Sequence, residues 1–161
     1  MKSKKLGLIL TALLLVMFAV FAMGSGEGTT DDQGNGEANK GNIGKYSVTI
    51  DSCRLAKDYE GKAVVIVKYT FTNVSDDEPA CFAYTFDDSA FQNGVGLNDA
   101  YFLDDSADYN SDNQTKEIKK GASIQVEVAY VLNDMASEVE VEVKELFSFD
   151  KTAVKKTFSI V

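Results

Sequence analysis

Seven aspartates stand between Asp87 and Asn113 with no lysine or arginine among them: Asp87, Asp88, Asp99, Asp104, Asp105, Asp108 and Asp112. Hard oxygen donors gathered on one loop are what Ca²⁺ takes. Asp108, Asn110 and Asp112 copy positions 1, 3 and 5 of a calcium loop. The match then ends, because Asn113 stands where that loop needs Gly and Lys119 where it needs a bidentate Glu. Asp104, Asp105, Asp108, Asn110 and Asp112 are therefore candidate ligands of an irregular Ca²⁺ site, with a solvated acidic loop as the alternative. Tyr101, Phe102 and Tyr109 lie in the same stretch and are candidates for a recognition surface beside it. Phe147 and Phe149 near the last turn are a second aromatic candidate.

Covalent and acid–base chemistry is poorly supplied. Histidine is absent, which removes the commonest general base and metal ligand. No Gly-x-Ser-x-Gly elbow occurs, and Lys120 with Ser123 reads as the turn that opens a strand. The chain holds 25 acids, so some carboxylate pair falls at a glycosidase spacing whatever the function. No catalytic residue, no enzymatic activity and no cofactor beyond the Ca²⁺ candidate are expected. Cys53 and Cys81 either form a disulfide, closing a loop of about 28 residues worth roughly 3–4 kcal/mol, or stay two separate thiols. Asn73-Val74-Ser75 and Asn113-Gln114-Thr115 fit the glycosylation pattern, but Asn73 is expected to end a strand through a side-chain turn.

The elements that must position these residues follow a period of two. Tyr46, Val48 and Ile50 alternate with polar neighbours, and Ala63–Phe71 (AVVIVKYTF) reads as a central strand. Cys81–Phe86 puts Phe82, Tyr84 and Phe86 on one side, and a helical turn near Asp87–Phe91 is possible. Asn93-Gly94 signals a tight hairpin. Ser123–Leu132, Glu138–Lys144 and Val154–Val161 complete about seven strands, the last two with charged outer faces that suit sheet edges. The pattern predicts an all-β antiparallel sandwich over residues 46–161.

Two different segments precede it. Lys2, Lys4 and Lys5 lead into Leu6–Met23, an uncharged run whose 18 residues would reach roughly 27 Å as a helix against a hydrocarbon core of about 30 Å. Residues 1–24 are thus either a cleaved signal peptide or a retained membrane anchor, and both place the rest outside the cytoplasmic membrane. Residues 25–45 are rich in Gly, Asp and Asn and read as a flexible linker with a span of roughly 25 Å. Removing residues 1–24 takes away three lysines and no acid, leaving 13 basic residues against 25 acidic ones, or −12. Such a surface repels nucleic acid, and the membrane is expected to be met only through the N-terminal segment.

Tyr46-Ser47-Val48-Thr49-Ile50, Phe71-Thr72-Asn73-Val74-Ser75, Ala90-Phe91-Gln92-Asn93-Gly94, Ile118-Lys119-Lys120-Gly121-Ala122-Ser123 and Glu145-Leu146-Phe147-Ser148-Phe149-Asp150 occur in that order. Together they resemble a group of small exported bacterial domains of unknown function, related to the immunoglobulin-like domain of the immunoprotective extracellular antigen type. The resemblance covers roughly residues 45–161. It implies an immunoglobulin-like β-sandwich in a Gram-positive cell envelope, and brings no catalytic residues with it. Many members carry a lipid-modified cysteine after the signal, whereas Gly24-Ser25 stands here, so a lipid anchor is not expected. The function expected is a non-enzymatic extracytoplasmic module that binds an extracellular or envelope partner. The alternative is a structural or accessory envelope protein tethered by its N-terminal helix.

Overall fold

The structure, a computed structural model, describes residues 38–149 and 151–161. Residues 1–24, and with them the signal or anchor reading, lie outside the described part. So does most of the linker.

Ala63–Asn73 (β3) is β-branched or aromatic at most positions, and it takes the centre of a five-stranded antiparallel sheet. Lys40–Ile43 (β1) and Tyr46–Lys57 (β2) lie on one side of it, Ser123–Val131 (β7) and Asn98–Asp99 (β6) on the other, in the order β1-β2-β3-β7-β6. The second sheet runs β5-β4-β8-β9, from Phe86–Gln92 (β4), Val95–Gly96 (β5), Val139–Glu145 (β8) and Ala153–Phe158 (β9). Alternate residues of β2, β3, β7, β4, β8 and β9 meet in one core containing Val48, Val67, Phe71, Val126, Val141 and Val143. The other face of β3 is buried too. Val64 and Ile66 form a smaller cluster with Ala100 and Ala129, against which Leu103, Ala107 and Tyr109 pack. The segment that carries the acidic stretch is therefore held down by apolar contacts across the outside of the larger sheet.

Several local expectations differ from what is found. The described residues hold nine strands, of which β1 and β6 have no counterpart in the sequence pattern. β1 falls in the stretch read as linker: Ile43 is 2% exposed, and a Cβ on Gly41 would meet Val154 Cγ2 at 2.8 Å, so β1 closes tightly onto the fold. The ordered domain thus begins before Tyr46. Phe82–Thr85 (α1) is a helical turn where a strand was expected, fixed by Thr85 Oγ1 donating to Cys81 O at 2.7 Å. Phe82 and Phe86 enter the core, but Tyr84 is 78% exposed. Asp87–Phe91 is strand rather than helix, because β4 finds a full ladder on β8. β8 is interior, between β4 and β9, and β9 alone of the two forms an edge. Asn93-Gly94 does turn the chain from β4 to β5, both residues with positive φ (52° and 75°).

Cys53 and Cys81 are free thiols, so the disulfide alternative is not realised. The ladder fixes Cys53 opposite Val67 in mid-strand. Cys81 follows Ala80, which bridges Ile118; the Ile118 carbonyl also accepts from Asn73 at the far end of β3. Asn73 behaves as its sequence suggests, its side-chain oxygen capping Asp76 N at 3.0 Å.

A polar chain crosses the core. The Tyr69 and Tyr130 hydroxyls lie 3.2 Å apart, and Tyr130 donates a short hydrogen bond to the Asp88 carboxylate on β4. Burial, with the nearby charges of Asp99 and Asp87, pushes Asp88 up to about 6 against the Tyr130 hydrogen bond. Below the ordinary aspartate pKa the folded and unfolded chains both hold this proton. As pH rises from about 4 to 6 the unfolded chain releases it first, so stability falls by on the order of 2 kcal/mol and then levels off. Asp88→Asn keeps an acceptor for Tyr130 and is expected to abolish this fall. Urea melts at pH 4 and pH 7 check it, and a wild-type difference that survives unchanged in Asp88→Asn would remove Asp88 from the account.

Candidate functional site

The turn between β2 and β3 and the segment after β6 meet at one end of the domain. Asp58 shapes the turn, its carboxylate accepting from Glu60 N (2.9 Å) and Lys62 N (2.8 Å), and this presents Tyr59. Tyr59 N donates to Phe102 O at 3.2 Å, Asp104 N donates to Lys57 O at 3.0 Å, and Asp58 bridges Leu103. The Tyr59 and Phe102 rings stand edge to face with centroids 6.2 Å apart. Tyr59, Tyr101 and Phe102 are 69%, 77% and 72% exposed, although each could have been buried at a gain of about 1.5–3 kcal/mol. They line an open groove of about 800 Å³ with Leu103, Tyr109, Asp104, Asp105 and Asp108. Neither lysine nor arginine lines it.

The floor is stiff. Arg54 on β2 pairs with Glu127 on β7 through both carboxylate oxygens (2.5 and 3.1 Å). It also donates to the carbonyls of Ala107 (3.2 Å) and Asp108 (2.7 Å). Asp108 turns the chain with a positive φ of 47°. Asn110 N reaches the same Glu127 carboxylate at 3.3 Å. Gln114 donates to Glu127 O (2.6 Å) and to the Tyr109 hydroxyl (3.0 Å). A rigid sheet thus positions a long loop through a bidentate ion pair. The hydrogen bonds from Ser106 hold the Asp104 carboxyl below its usual range, so it stays charged at neutral pH. Bonding to Asp99 pushes the Tyr101 hydroxyl up, and burial does the same for Tyr109. Both stay neutral, Tyr101 donating to Asp99 and Tyr109 accepting from Gln114.

Tyr101, Phe102 and Tyr109 are thus brought together with Asp104, Asp105 and Asp108. Asn110 and Asp112 are not part of the groove: the Asn110 side chain accepts from Asp112 N at 3.0 Å, and Asp112 opens a 3-10 turn over Asp112–Gln114. Asp104 turns back onto Ser106 N and Oγ (2.9 and 2.6 Å). Among the described residues no group of three or more carboxylates or thiols is placed to hold one metal ion. Sequence reading missed two lining residues, Leu103 and the exposed ring of Tyr59. The only local signal for Tyr59 is its place in an Asp58-Tyr59-Glu60-Gly61 turn between two strands; the pairing that brings it to Phe102 is long-range. A second groove of about 780 Å³ lies on the other flank of the loop, with Arg54, Lys57 and Met135 in its lining.

The family profile described as a domain of unknown function, DUF5067, matches residues 26–145. No curated protein matches the sequence significantly. Three solved structures share the fold. A candidate lipoprotein from Staphylococcus aureus subsp. aureus has 21% identity and a TM-score of 0.56, over 72% of this chain and 84% of that one. A candidate lipoprotein from Bacillus subtilis has 14% identity and a TM-score of 0.56; the match covers 77% of this chain but only 39% of that longer one. A protein from Enterococcus faecalis has 21% identity and a TM-score of 0.55, over 85% and 100%.

Proposed function

This chain belongs to the DUF5067 family, a domain of unknown function, and we propose that it is a non-enzymatic binding module of the cell envelope. In this reading the groove lined by Tyr59, Tyr101, Phe102, Asp104, Asp105 and Asp108 takes a positively charged partner. The observation that carries it is the joint exposure of three aromatic rings beside three carboxylates with no base in the lining. Ring faces and carboxylates both attract an ammonium or guanidinium group, and the hydrophobic side of a ring takes its alkyl stem. The two-sheet architecture is read as immunoglobulin-like, of the immunoprotective extracellular antigen type. Placement outside the cytoplasmic membrane is supported by the basic and apolar N-terminal run and by the candidate lipoproteins among the structural relatives.

The test is calorimetric titration of the full chain with a short oligolysine peptide, and with an oligoglutamate peptide as control. Saturable binding of the cationic peptide alone is expected. Tyr101→Ala and Phe102→Ala should each weaken it roughly tenfold, in line with aromatic anchors elsewhere. Asp77→Asn, on an exposed side chain outside the groove, should leave it unchanged. Equal losses at all three positions would mean diffuse attraction to an acidic surface and would sink the groove as a site.

A further inference from the structure

The tip of the β8–β9 hairpin carries two phenylalanines in water: Phe147 is 93% and Phe149 104% exposed. The backbone at Phe147 is left-handed (φ 60°), a conformation for which glycine is the low-energy choice, yet a large apolar ring is kept there. Leu146 N is tied to Thr85 O at 2.9 Å, which sets this tip beside the helical turn that bears the exposed Tyr84. Neither ring lines either of the two grooves. The tip also lies at the opposite pole from the Tyr59–Phe102 groove. Glu145 packs against the Gly44 turn at the start of β2, whereas Tyr59 follows its end, and 12 residues of strand separate the poles by about 35 Å.

We propose that this tip is a second membrane contact, with Phe147 and Phe149 dipping into the acyl-chain layer of the bilayer that the N-terminal apolar run addresses. Among the described residues no helix is long and apolar enough to cross a membrane, so the contact is peripheral. The chain permits it. Sixteen residues separate Met23 from Lys40, and such a length spans at most about 53–58 Å. Lys40 pairs with Thr49, only three positions along β2 from Tyr46 at the tip's pole. The acidic surface is repelled by anionic headgroups, so the attraction is apolar and zwitterionic lipid suffices. A domain seated this way presents its groove away from the lipid. The proposal stands whether or not the groove binds cations.

The chain contains no tryptophan, so a single introduced indole reports unambiguously. The full chain is reconstituted with vesicles of phosphatidylcholine carrying brominated acyl chains. Phe147→Trp and Phe149→Trp are compared with Met135→Trp, in the exposed loop after β7 at the groove pole. The tip indoles are expected to shift to the blue and to lose emission roughly twofold to the bromines, with Met135→Trp unquenched. Denaturation midpoints confirm that each variant is folded. The proposal is overturned if both tip indoles stay unquenched, or if Met135→Trp is quenched equally.

Discussion

Replacing Gln92 by leucine is expected to destabilise the domain by about 3–4 kcal/mol, although the two side chains are similar in size. Gln92 ends β4 and is 1% exposed. Its amide nitrogen donates to the carbonyls of Asp134 (3.1 Å) and Ser137 (3.0 Å). Its oxygen accepts from Asn133 N (2.8 Å) and Asp134 N (3.3 Å). All four hydrogen-bonding positions of one side chain are thus spent on the backbone of the β7–β8 connection. Leucine would leave two donors and two acceptors without a partner beside the core, and each such group costs about 1–3 kcal/mol, less where water can enter. No buried side-chain polar atom among the described residues lacks a partner at present. Gln92→Glu sharpens the test, because a carboxylate can serve the two amides but not the two carbonyls. It should lose less stability at pH 4 than at pH 7. Equal urea midpoints for wild type and Gln92→Leu would show that the loop reforms its bonds with water at no loss.

Phe82→Ala should produce the other large effect, a loss of about 3–5 kcal/mol. Phe82 is 1% exposed, and its ring lies 5.1 Å from Tyr69, 5.5 Å from Phe86 and 6.2 Å from Phe71. These rings come from β3, α1 and β4, so Phe82 is the wedge by which a four-residue helix closes one end of the gap between the sheets. Truncation would leave a cavity lined by rigid aromatic neighbours that cannot collapse into it. Phe82→Leu retains most of the volume and should lose no more than about 2 kcal/mol. Against a total stability of about 5–15 kcal/mol for a domain of this size, Phe82→Ala removes a large share, and at the lower end of that range it leaves the chain close to half-unfolded. A melting curve that distinguishes the two variants by less than a few degrees would contradict this account.

Phe82 also shows where sequence reading stops. Cys81-Phe82-Ala83-Tyr84-Thr85-Phe86 alternates as cleanly as β7 does. It coils because Thr85 bonds back to Cys81 and because β4 starts its ladder on β8 only at Phe86. β3, β7 and β8 were legible because burial on a pleated sheet imposes a period of two, and Asn93-Gly94 because its backbone needs residues that tolerate positive φ. β1 was not. Lys40-Gly41-Asn42-Ile43 has one apolar side chain, and its pairing with β2 is decided by that single burial and by the close pass of Gly41 to Val154. The groove was half legible. Exposed-looking aromatics beside aspartates could be read from the stretch around Tyr101–Asp108. That Arg54 would clamp the loop, and that Tyr59 would complete the lining, depends on strands far apart in sequence.

β1 has a mechanical consequence. It is the first described strand of the chain, it lies at the edge of the larger sheet, and it reverses into β2 through Gly44-Lys45. Tension arriving from residues ahead of Asn39 therefore loads the hydrogen bond from Ile50 N to Asn39 O (2.8 Å) first and then peels the four pairs from Lys40–Thr49 onward, one after another, instead of shearing them together. The strand yields at low force, while the β2–β3 and β3–β7 ladders behind it stay loaded in parallel. Its release withdraws Ile43 from the core and Gly41 from Val154, uncovering the flank of β9. A pulled copy of this protein would thus lengthen by a short step before it lost its fold.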